Sequence, residues 1–140
     1  MTEPVGAEAI GDGDWLLRRV PDQPERMWTR KAGVLRPSSA ALKPSSIDGG
    51  LSVDVRRLLE DPSAPTSALE DRVDDGLVEF RAAEPRAAGL DVQHAPLPDR
   101  FSHANIVGFD GLAKVDEKRF RRELAKHAAW VQEPASAATA

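Results

Sequence analysis

The sequence predicts an α+β domain, a small mixed or antiparallel sheet of about five short strands with a C-terminal amphipathic helix packed on it. Three observations lead there. Short apolar runs with period-two alternation recur through most of the chain, separated by Pro, Gly and Ser. From Val115 to Gln132 the spacing becomes helical, with Phe120, Leu124, Ala128 and Val131 falling within an arc of about 80°. The length of 140 residues leaves room for one small core and no second domain.

The elements follow in order. Residues 1–13 are Gly, Ala and acid without apolar periodicity, so a flexible tail is expected. Trp15, Leu16, Leu17 and Val20 flank Arg18 and Arg19 between Asp14 and Pro21, which reads as a first strand. From 21 to 50 the punctuation by Pro21, Pro24, Pro37, Pro44 and Gly49-Gly50 predicts a long irregular excursion, pinned by Met27-Trp28 and Val34-Leu35. Leu51, Val53 and Val55 alternate with Ser52 and Asp54 as a second strand, running into a helical turn at 56–59.

Ser67-Ala68-Leu69-Glu70 has the form of a capping box, which predicts a short helix over 67–75 stopped by Gly76. Residues 77–81, 90–94 and 103–109 read as further strands, with one helical turn at 85–89 and a Pro96/Pro98 turn between the last two. The helix is predicted over 115–132. Pro134 ends it, and 133–140 are expected as a second flexible tail, so the domain spans 14–132.

Composition narrows the function. Leu, Ile, Val and Phe supply 31 residues while Ala supplies 21, which predicts a thin core that leans on a partner. No apolar run approaches the roughly 20 residues of a membrane helix. The acidic start Met1-Thr2-Glu3-Pro4 and the absence of Cys make a cytoplasmic location the expectation. A net charge of −4 and a pI near 5.4 speak against broad nucleic-acid binding. Arg outnumbers Lys 14 to 5, from which a GC-rich bacterial genome is the expectation.

Candidate chemistry is sparse. His94, His103 and His127 lack zinc-ligand spacing and no Cys is present, so neither metal nor cofactor is expected. There is no Gly-x-Ser-x-Gly elbow for a serine hydrolase, and adjacent Asp74-Asp75 point apart. His103 opens a strand beside the double-Pro loop and is expected to flank that turn with His94, as an acid/base pair or as donors to an anion. Arg36, Ser38 and Ser39 set a cation beside two hydroxyls, a grouping that suits a phosphate or carboxylate as well as turn chemistry. On the last helix, Lys118, Arg119, Arg121, Arg122 and Lys126 lie mostly off the apolar arc. Arg119 and Arg122, with Trp28 and Trp130, are the expected partner-binding residues, because indoles are frequent hot spots and this core is too small to absorb three.

Arg36-Pro37-Ser38-Ser39 with Ala41, Leu51-Ser52-Val53-Asp54, and Pro96/Pro98 followed by His103-Ala104-x-Ile106-Val107-Gly108 together resemble a group of small uncharacterised bacterial proteins. That group opens on a Leu-x-Arg-Arg-Val run, ending here in Leu17-Arg18-Arg19-Val20, and the likeness spans about residues 14–131. It carries no activity over. The chain is also loosely similar to toxins of the ADP-ribosyltransferase type, the RES domain included. There a first-strand Arg precedes an irregular nucleotide-gripping stretch and a Ser-bearing strand, places that Arg19 and Ser52 would take. The chain departs from that pattern in having no Tyr and no late Glu in a catalytic strand motif.

The leading expectation is therefore a protein-interaction module, an accessory subunit of a multi-component system. The alternative is an enzyme or degenerate enzyme that grips a nucleotide or other anion, with Arg19, Ser52 and His103 as catalytic candidates. Nucleic-acid binding by the last helix comes third, since aromatic interleaving is poor.

Overall fold

The computed structural model describes residues 8–139. Its main body is a six-stranded antiparallel sheet built from β1 (Trp15–Val20), β4 (Leu51–Val55), β5 (Gly76–Arg81), β6 (Asp91–His94), β7 (His103–Val107) and β8 (Ala129–Gln132), in the order β6-β7-β4-β1-β5-β8. A separate hairpin, β2 (Trp28–Lys31) with β3 (Val34–Pro37), stands within the 21–50 excursion. Among the described residues, two α-helices complete the fold, α1 (Ala83–Ala87) and α2 (Lys114–His127). The α+β class and the antiparallel sheet with a late helix are as the sequence predicts.

Alternation along the strands gives the sheet two faces. Leu16, Val53, Val55, Phe80, Ala104 and Ile106 point to one side, where Phe120, Leu124 and Ala125 of α2 seal a continuous apolar cluster. Leu17 and Leu77 point to the other and are covered by Ala68 and Leu69 from a 3-10 turn at Pro65–Leu69. That cover stops short of Ser52 and His103, which the alternation also puts on this second face.

Several elements differ from the sequence expectation. The predicted helix over 115–132 ends at His127, because Ala128 turns to extended backbone and 129–132 pair with β5 as an edge strand. Ala128 and Val131 keep the spacing of the helical stripe but lie beyond its end. The capping box at Ser67 does not form: Glu70 takes φ 53° and its carboxylate pairs with Arg100 at 2.6 Å. Residues 134–137, expected as part of a tail, dock instead, with Ala137 buried and its carbonyl accepting from Arg30 Nη2 at 2.9 Å. Of the expected N-terminal tail, 1–7 lie outside the described residues, while Ile10 is buried and its carbonyl accepts from Arg86 at 2.6 Å.

The indoles are the main correction. Trp28, expected at a partner surface, is 4% exposed and donates Nε1–H to Asp22 at 3.0 Å. Trp130 is half-buried over Gly76 and donates to the Leu35 carbonyl at 3.0 Å. Trp15 carries the Arg81 guanidinium 4.2 Å above its ring. The hairpin and the C-terminal turn fold back over β1, β5 and β8 and supply the apolar surface that composition alone did not promise. No helix among the described residues is long and apolar enough to cross a membrane.

Candidate functional site

The site begins where two strands part. β1 and β4 are in register only at Leu16/Val55 and Leu17/Asp54. Beyond that point Arg18 takes over the ladder's role, donating Nη1–H to the Ser52 carbonyl at 2.8 Å and Nε–H to the Ala41 carbonyl at 3.0 Å. Burial, with repulsion from Arg19 added, pulls the Arg18 guanidinium down to about 10, so it stays cationic at neutral pH. It makes no ion pair with a carboxylate among the described residues.

A cavity of about 140 Å³ lies over this split, and Arg18, Arg19, Ser52, Asp54, Arg100 and His103 line it, on a floor of Leu17 and Leu77. Arg19 and Arg100 line it with Asp54 as the one lining carboxyl, although Asp75 and Glu70 pair with the two guanidinium groups from outside the lining, so the cavity suits a negative guest that takes over those contacts. Asp54 is buried, which raises its carboxyl above the usual range, although Arg100, the Ser102 hydroxyl and His103 act the other way. Ser102 Oγ donates to Asp54 at 2.9 Å, and Arg100 Nε lies 3.6 Å from the same oxygen.

His103 stands directly across the ladder from Asp54. Its Nδ1 is 2.8 Å from the Ala95 carbonyl, which can only accept, so that nitrogen carries the proton. The lone pair of Nε2 is then left for the Ser52 hydroxyl, 3.3 Å away. A serine hydroxyl against the bare nitrogen of an oriented imidazole is the arrangement that activates a nucleophile or relays a proton, and such contacts tighten when substrate is bound.

Arg19, Ser52 and His103, the three catalytic candidates of the sequence, thus meet in one cavity. Arg19 reaches it while pairing with Asp75 at 3.5 Å, with its side chain 41% exposed, a weak and exchangeable contact. The expected ligand residues do not join them. Arg36 stands exposed on β3, Ser38 donates its hydroxyl to the Arg26 carbonyl at 2.6 Å, and the Ser39 carbonyl accepts from Arg121, so this segment is turn chemistry. His94 is also occupied: Nε2 lies 2.6 Å from the Phe101 carbonyl and Nδ1 accepts the Glu8 amide at 2.8 Å. It faces away from His103 because the two are offset by one residue across β6 and β7.

Arg119 is exposed and 3.6 Å from Asp116, and Arg122 is exposed without an ion pair among the described residues. The basic row is further thinned by Arg121, tied to Glu117 and Ser39. No group of metal-ligating side chains gathers among the described residues.

Five residues of the site escaped the sequence reading, Arg18 and Asp54 on the strands among them. Arg100 and Ser102 come from the double-Pro loop, where no spacing marks them. Asn105 lies directly across from Ser52 and leaves a buried side-chain oxygen without a donor. Comparison of the chain with protein-family models, with curated proteins and with solved structures finds no match.

Proposed function

We propose that the cavity at the β1/β4 split binds the phosphate or carboxylate group of a larger ligand, and that the Ser52–His103 pair moves a proton at that group. The observation that carries this reading is the hydrogen bond from Ser52 to an imidazole whose tautomer is set by Ala95, inside a cavity that Arg19 and Arg100 also line. Size limits the guest. Sites that enclose a drug-sized molecule measure roughly 300–1,000 Å³, so a cavity of about 140 Å³ takes an anionic group and leaves the rest outside.

A broader groove of about 1000 Å³ adjoins it, sharing Ala68 and Arg100 and offering Leu97 and Phe101, each 44% exposed. The remainder of the ligand would lie there. The loose similarity to ADP-ribosyltransferase toxins supports a nucleotide as that ligand, since Arg19 and Ser52 both line the cavity. The interaction-module reading loses part of its support, because Trp28 is buried and Trp15 and Trp130 are half-buried.

Thermal unfolding in inorganic phosphate, AMP and NAD tests the proposal. A ligand at a hundredfold excess over its Kd adds about 2.7 kcal/mol, or several degrees in Tm. The wild type is expected to gain that stability from at least one of the three, and His103→Ala and Arg19→Ala to lose most of the gain. Equal shifts in all three proteins, or none in the wild type, would overturn the reading.

A further inference from the structure

On the other side of the sheet, a second groove of about 370 Å³ runs between α1 and α2. Its apolar lining is the buried Phe120 and Leu124, the half-buried Ala88 and Leu112, and the exposed Ala87. Its polar lining residues, Glu84, Asp116, Glu123 and a single cation, Arg119, are all exposed and so form its rim. The carboxylates are loosely held. Asp116 is 3.6 Å from Arg119, Glu123 is 3.4 Å from Lys126, and Glu84 makes no ion pair among the described residues. Exposed pairs of this kind contribute little and exchange readily. Val115, one turn before Arg119 and 63% exposed, adds an uncovered apolar side chain beside the groove.

We propose that this groove docks a segment of a partner protein that presents an apolar side chain flanked by Lys or Arg. Charge complementarity selects the flanks: an acidic rim with one internal cation repels acidic segments and steers basic ones. The floor selects the tip. A small polar molecule would need a polar group inside the cavity to orient it, and here every such group is at the rim. A groove between two helices with an apolar floor receives an amphipathic helix through one or two anchors. This surface is separate from the anion cavity and neither proposal depends on the other.

The probe is a fluorescent peptide with Leu at i, i+3 and i+4 and Lys elsewhere, set against the same peptide with Glu in place of Lys. Anisotropy titration is expected to show the Lys peptide binding at low salt and weakening as salt rises, with no binding of the Glu peptide. Two variants localise it: Ala87→Trp fills the groove, and Glu84→Lys/Glu123→Lys reverses the rim on exposed side chains that the fold does not need. Each is expected to lower affinity at least tenfold, with circular dichroism checking that the chain remains folded. Equal binding of the Lys peptide to the wild type and the rim-reversed variant would overturn the proposal, as would binding of the Glu peptide. So would a concentration-dependent oligomer of the wild type that Ala87→Trp abolishes, since the occupant would then be a second copy of this chain.

Discussion

Arg18 holds Ser52 by its backbone: the guanidinium bridges the carbonyls of Ser52 and Ala41 at 2.8 and 3.0 Å where the β1/β4 ladder gives out. The planar fork is suited to two acceptors at once, and a lysine ammonium on a flexible stem is not. Arg18→Lys keeps the charge and most of the length but gives up one charge-assisted bond, which costs about 2 kcal/mol. Urea unfolding should show that loss, together with a weaker phosphate response because Ser52 is less firmly placed. A variant within about 0.5 kcal/mol of wild type would mean that the bridge does not position the strand.

Asp54 provides a pH test. Burial raises its carboxyl in the folded chain, so the native state holds its proton more tightly than the unfolded state does. The associated stability is present below the unfolded pKa and is lost as pH rises through the folded one. Asn cannot ionise and avoids this loss, while Arg100 keeps Glu70 as a partner at 2.6 Å. Asp54→Asn is therefore expected to be more stable than wild type at neutral pH, with the advantage vanishing below about pH 4. Denaturant unfolding across that range measures it, and an advantage that grows toward acid pH would contradict the burial argument.

Gly76 is fixed by its neighbours and not by its backbone angles. A Cβ there would stand 2.7 Å from Cζ3 of Trp130 and 2.9 Å from Cγ of Pro134, both held in the packed edge of the sheet. Gly76→Ala must displace the indole or the proline, at a cost of about 1–3 kcal/mol. Unfolding followed by Trp fluorescence should report the loss and a change in the native emission. Unchanged stability would show that β8 is loosely attached.

The same contact explains what the sequence concealed. β1, β4 and β7 were legible because Leu16, Val53, Ile106 and their neighbours alternate with polar residues under one buried face. β8 was not, since Ala128 and Val131 keep step with Phe120 and Leu124 and nothing in that spacing marks the bend at Ala128. The β2/β3 hairpin turns at Ala32 and Gly33, both at positive φ, and Ala-Gly is a far weaker hairpin signal than Asn-Gly. Whether an indole is covered depends on where distant segments return, as when Ser136 and Trp28 meet on Asp22. The site divides differently: Arg19 and Ser52 come from the loose likeness to ADP-ribosyltransferase-type toxins and His103 from its place beside the double-Pro loop, whereas Arg18 and Asp54 read only as strand positions and Arg100 and Ser102 arrive from a loop with no period.

The tautomers of two histidines test the central claim most directly. The hydrogen bonds assign the proton of His103 to Nδ1 and that of His94 to Nε2, opposite choices at the two ends of one turn. Nitrogen NMR at about pH 8, where an ordinary imidazole is neutral, should show a bare Nε2 on His103 and a bare Nδ1 on His94. Adding phosphate should then move the Nε2 resonance of His103 while those of His94 and His127 stay in place. A proton on Nε2 of His103, or a ring indifferent to phosphate, AMP and NAD alike, would contradict the account.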